Sequence, residues 1–214
     1  YIVIHYVGAL GGAQENCAYY GGGNRGASAH YFVGFAGEIW QCVEDQNIAW
    51  HCGASRYKHP ECRNANSIGI EMCVRKKNAA SLGATDKDWY FEGATVQSAI
   101  ELTRYLMKKY NIPADHVIRH YDVTGKICPN PYVYNTGTYT WDAFKQAISG
   151  QSGDILPATD KPWYRVRKTW KNEKSQLGAF HTLKKAKQCA DQHAGYHVYN
   201  DAGKKVYALS LIHI

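Results

Sequence analysis

Apolar residues in this chain form short continuous runs in its first third and middle, and a three-and-four spacing near residue 100. The two periods predict different elements. Residues 2–5, IVIH, are an apolar run closed by a histidine and predict a short buried strand. Residues 29–35 and 38–43 predict the arms of a hairpin turning at Ala36 and Gly37, and residues 67–74, SIGIEMCV, predict a further strand. After Gly93, apolar positions recur at Val96, Ala99, Ile100, Thr103, Leu106, Met107 and Tyr110, which predicts an amphipathic helix ending before Pro113. Residues 117–119 then lead into His120, and a last helix is predicted over residues 141–148. Strands interleaved with helices imply an α/β fold with a central mixed β-sheet flanked by helices.

Charge divides the chain more sharply than hydropathy does. Residues 1–162 hold fifteen basic and fifteen acidic side chains, whereas residues 163–214 hold ten basic and three acidic, so the whole excess of +7 belongs to the tail. Residues 149–162 are rich in Gly, Ser and Pro and read as a solvated linker. Two units follow, a neutral one over 1–148 and a basic one over 163–208. In the second, residues 163–170 alternate as a strand, 182–193 have helical spacing and 196–207 form a hairpin turning near Gly203, an α+β module of order β-α-β-β. Tyr1 falls inside a strand-like run, so the native start is expected to lie upstream; the apolar hexapeptide LSLIHI at 209–214 is expected to be foreign to the fold. No run approaches the roughly 20 apolar residues of a membrane span. At 214 residues and 45% hydrophobic, the chain can bury one good core plus a small appendage.

Candidate chemistry concentrates in RHYDVTGKICP, which holds His120, Lys126 and Cys128, with His5 ending the first strand. Two imidazoles and one thiolate converging from distant segments suit a first-row metal, and three protein ligands leave a position open, as catalytic zinc sites do. Lys126 beside Cys128, together with the metal, is expected to keep the thiol deprotonated. Cysteines number seven, an odd count that favours reduced thiols, with a Cys52–Cys62 disulfide left open.

Five segments, YIVIHYVG, SAHYFVGFAGEIWQ, IAWHCGAS, NSIGIEMCV and RHYDVTGKICP, occur in the order and spacing of the zinc-dependent N-acetylmuramoyl-L-alanine amidases. The chain resembles these type 2 amidases, which include phage endolysins and resemble the peptidoglycan recognition proteins, over residues 1 to about 148. The resemblance implies one zinc ion held by His5, His120 and Cys128, the third position being Asp in many relatives. It implies Glu71 as catalytic carboxylate, Lys126 as the cation facing the oxyanion, and His51 as a cleft histidine. Where relatives place a catalytic tyrosine, this chain has His30 with Tyr31 one place later, which makes both of them candidate substrate-binding residues.

The implied reaction is cleavage, by zinc-activated water, of the amide joining N-acetylmuramic acid to L-alanine of the stem peptide. Peptidoglycan is then the partner, and the bacterial wall the place of action, after secretion or phage release. Two other readings use the same residues: a non-catalytic recognition protein, and a zinc-free thiol hydrolase acting through Cys128 and His120. The tail's YRVR and GAFHTLKKAKQCAD are similar to the pattern of SPOR-type wall-binding modules. Its basic charge suits anionic wall polymers; nucleic acid is the generic alternative for such a patch, and attachment to an amidase disfavours it.

Overall fold

The computed structural model describes residues 1–150, 162–180 and 182–208. Most of the expected linker and the terminal hexapeptide lie outside the described residues.

In chain order the first unit runs β1 (Ile2–Tyr6), α1 (Ala13–Gly21), β2 (Tyr31–Val33), β3 (Ile39–Gln41), β4 (Ile68–Met72), β5 (Arg75–Lys76), β6 (Trp89–Tyr90), α2 (Gly93–Tyr110), β7 (Val117–Arg119), α3 (His120–Thr124), α4 (Asn130–Tyr134) and α5 (Trp141–Ile148). The second runs β8 (Tyr164–Arg167), β9 (Gly178–Phe180), α6 (Leu183–Asp191), β10 (His197–Tyr199) and β11 (Lys205–Ala208). The main sheet has the order β11-β10-β8-β9-β3-β2-β4-β1-β7. Strands β2, β4, β1 and β7 are parallel, and β3 joins β2 antiparallel through the predicted hairpin. Gly37 supplies the left-handed φ of +79° at its turn.

Strand β1 is buried on both faces, which is why its sequence reads as an unbroken apolar run. On one face, Ile2, Ile4 and Ile70 meet Val96, Ala99, Ile100 and Leu106 of α2. Helix α2 stops where Asn111 turns left-handed (φ 52°) and donates its N–H to the Met107 carbonyl. Helix α5 opens on Thr140, whose hydroxyl accepts from the Ala143 N–H at 3.2 Å.

Helices α1, α3 and α4 are absent from the sequence expectation. Only Ala13 is buried in α1, so there is no apolar stripe to read, and α3 and α4 are five residues each, too short to show a period. Strand β9 also goes beyond expectation, making the tail β-β-α-β-β. It pairs with β3 at Ile39 and Ala179, and its Phe180 ring meets Trp40 edge-on at 6.3 Å. Phe32, Trp40, Val166, Phe180 and Val198 form one apolar cluster across the two units. The basic module thus covers an edge strand whose open ladder would otherwise face water. Among the described residues no helix is long and apolar enough to cross a membrane.

Candidate metal centre and cleft

Parallel register places the chemistry. His5 of β1 and Glu71 of β4 are Cα partners, and Ile4 pairs with Arg119 of β7, so His120, the next residue, starts α3 beside His5. Alternation along the strands turns His5 and Glu71 to the face opposite α2. The turn from β7 into α3 is held by Asp122, which accepts from the Arg119 backbone N–H at 2.9 Å and from its guanidinium at 2.9 and 3.0 Å. Gly125, with φ +87°, then reverses the chain. The Tyr121 N–H donates to the Cys128 carbonyl at 2.8 Å, returning Cys128 to the cluster.

His5, His120 and Cys128 are all buried, and one ligand atom from each lies within 4.8 Å of the others. Cys128 Sγ is 3.6 Å from His5 Nδ1, and the His5 and His120 rings are 4.7 Å apart. Two ligands of one tetrahedral zinc, at bonds of roughly 2.0–2.3 Å, stand about 3.3–3.8 Å apart. His120 Nδ1 and Glu71 Oε2 are buried polar atoms without a hydrogen-bond partner in the protein. Such orphans are costly unless something else satisfies them, and a cation or its bound ligands would. Desolvation pushes His120 down to about 4 and His5 well below its ordinary range, so both rings are neutral, the form that binds metal.

Burial, reinforced by Glu71, pushes the Cys128 thiol up, and Lys126 only partly offsets it. Of the two groups expected to hold a thiolate, Lys126 and the metal, the lysine pulls in that direction but is exposed, whereas Cys128 is 2% exposed, and without a metal desolvation wins. A thiolate here requires a cation in direct contact. The same burial argues against Cys128 as a free nucleophile.

His51 stands between His5 and the cleft wall, mostly buried but still lining the cleft. Its proton inventory is fixed by hydrogen-bond counting. Ser67 Oγ donates its one proton to the Arg63 carbonyl at 2.6 Å, so at 3.2 Å it accepts from His51 Nε2–H. His51 Nδ1 is then a bare acceptor and takes His5 Nε2–H at 3.0 Å. His5 Nδ1 is left bare, facing Cys128 and, at 3.8 Å, Glu71 Oε1. Desolvation lowers His51 to about 3, which keeps this relay neutral. Gly69 makes room for it, since a Cβ there would stand 2.5 Å from the His51 ring. Ser67 and Gly69 read in the sequence only as strand positions; small residues in an apolar run were the available signal.

The other candidates separate. His30 is buried, with Nδ1 accepting from the Gly69 N–H at 3.0 Å and Nε2 donating to the Asn47 carbonyl at 3.1 Å, so both ring nitrogens are used structurally. Tyr31 sits on the α2 face, its hydroxyl donating to Asp45 at 2.5 Å, away from the metal ligands. A cleft of about 800 Å³ reaches the cluster at His120, lined also by Trp50, His51, Arg56, Asn64 and Lys126. Trp50 is 57% exposed there, an unsatisfied ring facing solvent. Glu71 keeps 18% side-chain exposure, yet desolvation raises it to about 8, with Lys126 pulling the other way.

The family model for N-acetylmuramoyl-L-alanine amidase matches residues 1–131. A probable N-acetylmuramoyl-L-alanine amidase of Bacillus licheniformis is 34% identical over 163 residues, covering 71% of this chain and 42% of that protein. The amidase CwlL of the same organism is 33% identical over 165 residues, covering 72% and 41%. The chain therefore spans about two fifths of the length of these curated relatives. The solved structure of PlyL is 25% identical, with a TM-score of 0.55 over 72% of this chain and 85% of that one.

Proposed function

Because this chain belongs to the N-acetylmuramoyl-L-alanine amidase family, we propose that it hydrolyses the amide between N-acetylmuramic acid and L-alanine in peptidoglycan, using one zinc ion. The observation that carries the reading is the convergence of His5, His120 and Cys128 beside a buried carboxylate, under a cleft edged by Lys126. Bound zinc supplies Lewis acidity, polarising the scissile carbonyl and lowering the pKa of water from 15.7 toward about 7.

The chain's own residues supply the rest. Glu71, raised by burial and lowered again by a neighbouring cation, is poised near neutrality, where a carboxylate can both accept a proton from the attacking water and return it to the leaving amine. Lys126 directs a fixed positive charge at the oxyanion of the tetrahedral intermediate. Trp50 offers a face on which a sugar ring or peptide can stack. His51 holds His5 in the tautomer that presents Nδ1 to the metal. A recognition protein without catalysis needs neither Glu71 nor a complete ligand set, and both are present. The basic module, ten positive against three negative residues over 163–214, holds the cleft against anionic wall polymers. The site of action is the bacterial wall.

Digestion of purified wall tests the activity. New L-alanine amino termini appear with the zinc-loaded protein and none after chelation; release of reducing sugar ends instead, or undiminished activity without metal, would overturn the reading. The relay is tested separately. His51→Ala is expected to weaken zinc binding about 10–100-fold, the range typical when a ligand's outer partner is lost, measured by competition with a chromogenic chelator. Unchanged affinity would assign His51 to packing alone.

A further inference from the structure

Cys52 and Cys62 bracket the segment that walls the cleft. Gly53, Ala54, Ser55 and Arg56, immediately after Cys52, line it opposite His120 and Lys126. Both ends of this segment are fastened. Asn64 Oδ1 accepts from the backbone N–H groups of His51 at 3.2 Å and Cys52 at 2.8 Å, and His59 Nδ1 accepts from the Cys62 N–H at 2.9 Å. Arg63 donates to the carbonyls of His59 and Cys62 and covers the Tyr57 ring at 3.8 Å. Each cysteine is 0% exposed, and the two share one small buried cluster with Val3 and Val123, where each thiol perturbs the ionisation of the other. Cys52 Sγ also lies 3.8 Å from Ser67 Oγ, the group that anchors His51.

All seven cysteines are unbonded in the structure. Their surroundings differ. Cys128 sits among the proposed metal ligands, and Cys73 and Cys189 are buried in the apolar cluster shared by the two units. Two pairs lie close together among the described residues: Cys17 with Cys42, whose thiol donates to the Cys17 carbonyl at 3.6 Å, and Cys52 with Cys62 in their shared cluster. Of these, only the second pair spans a segment of the cleft wall. Two thiols that the fold already confines to one small buried cluster need little further ordering to bond.

We propose that Cys52 and Cys62 form a disulfide that ties down the 53–61 wall of the cleft when the protein meets an oxidising environment. The oxidant is a low-molecular-weight disulfide. One protein thiolate attacks it, forming a mixed disulfide and releasing one small thiol; the second protein thiolate displaces the other small thiol. Two protein thiols are oxidised and one small disulfide is reduced to two thiols, which take up the two protons. Both sulfurs are buried, so the exchange proceeds when the segment opens. Five cysteines then stay reduced, Cys128 among them and free for metal.

The test uses the full, zinc-loaded chain, held with excess oxidised glutathione until its thiol content stops changing, then denatured in an alkylating reagent and mapped by peptide mass. A Cys52–Cys62 linked peptide, two mass units lighter than the reduced pair, is expected, together with a rise in Tm of about 5–10 °C over the reduced protein. In Cys62→Ala, Cys52 is alkylated and its contribution to that rise is lost. Alkylation of both cysteines in the oxidised wild type, or Cys52 joined to glutathione or to another cysteine, would overturn the proposal. The readout is a mass, so it fails or succeeds independently of the amidase reading.

Discussion

Glu71→Gln binds zinc at full stoichiometry and releases stem peptides about 10²–10⁴-fold more slowly than the wild type, the loss typical of removing a positioned proton acceptor. The substitution is nearly isosteric and leaves His5, His120 and Cys128 in place, so it isolates proton transfer from metal binding. The variant should still sediment with purified wall, and this binding should fall with salt if the basic module makes the contact. A second consequence concerns stability. Burial raises Glu71 from 4.5 to about 8, so in the metal-free protein its native form prefers the proton more than the unfolded form does. Its contribution is therefore fully present below pH 4.5 and is lost as the pH rises through 8. Metal-free Glu71→Gln escapes this loss and should melt above the metal-free wild type at pH 8 and higher, the gap closing by pH 4.5. Wild-type turnover in the variant would remove Glu71 from the chemistry.

Cys128→Ala should lose zinc outright, weakening affinity by more than the 10–100-fold of an outer partner, and wall digestion with it. Burial keeps the free thiol protonated, so the cation itself must drive off the proton, and zinc binding in the wild type should release about one proton, measurable by calorimetry in buffers of different ionisation heat. Cys128→Asp distinguishes the two roles open to this residue. A carboxylate is an ordinary zinc ligand but no substitute for a thiol nucleophile, so metal and part of the activity should return. An inactive, zinc-loaded Cys128→Asp with an active, zinc-free wild type would point instead to thiol chemistry.

The same physics explains how much was legible beforehand. Helices α2 and α5 and strands β1 and β4 were evident because each buries a whole face, which leaves a period of 3.6 or an unbroken apolar run. Helix α1 lies on the surface and strand β9 is three residues pairing with a distant edge, so neither leaves a local pattern. His5, His120, Cys128, Glu71 and Lys126 were named from five motifs in order, with strand ends as the reason such residues could meet. His30 and Tyr31 were named together because they are neighbours in sequence. Neighbours in a strand point to opposite faces, and here one locks Gly69 and Asn47 while the other reaches Asp45.

By itself, then, the sequence determined the α/β class, the charge division, the family and the residue types that can hold a metal, because composition, periodicity and motif spacing are properties of the chain. Tertiary structure alone decided which nitrogen of His5 is bare, that His51 stands against it, that Gly69 must lack a side chain, that Cys52 and Cys62 share one buried cluster, and that the basic module completes the sheet. Each of these depends on distances between segments far apart in the chain, and only the packed strands set those distances.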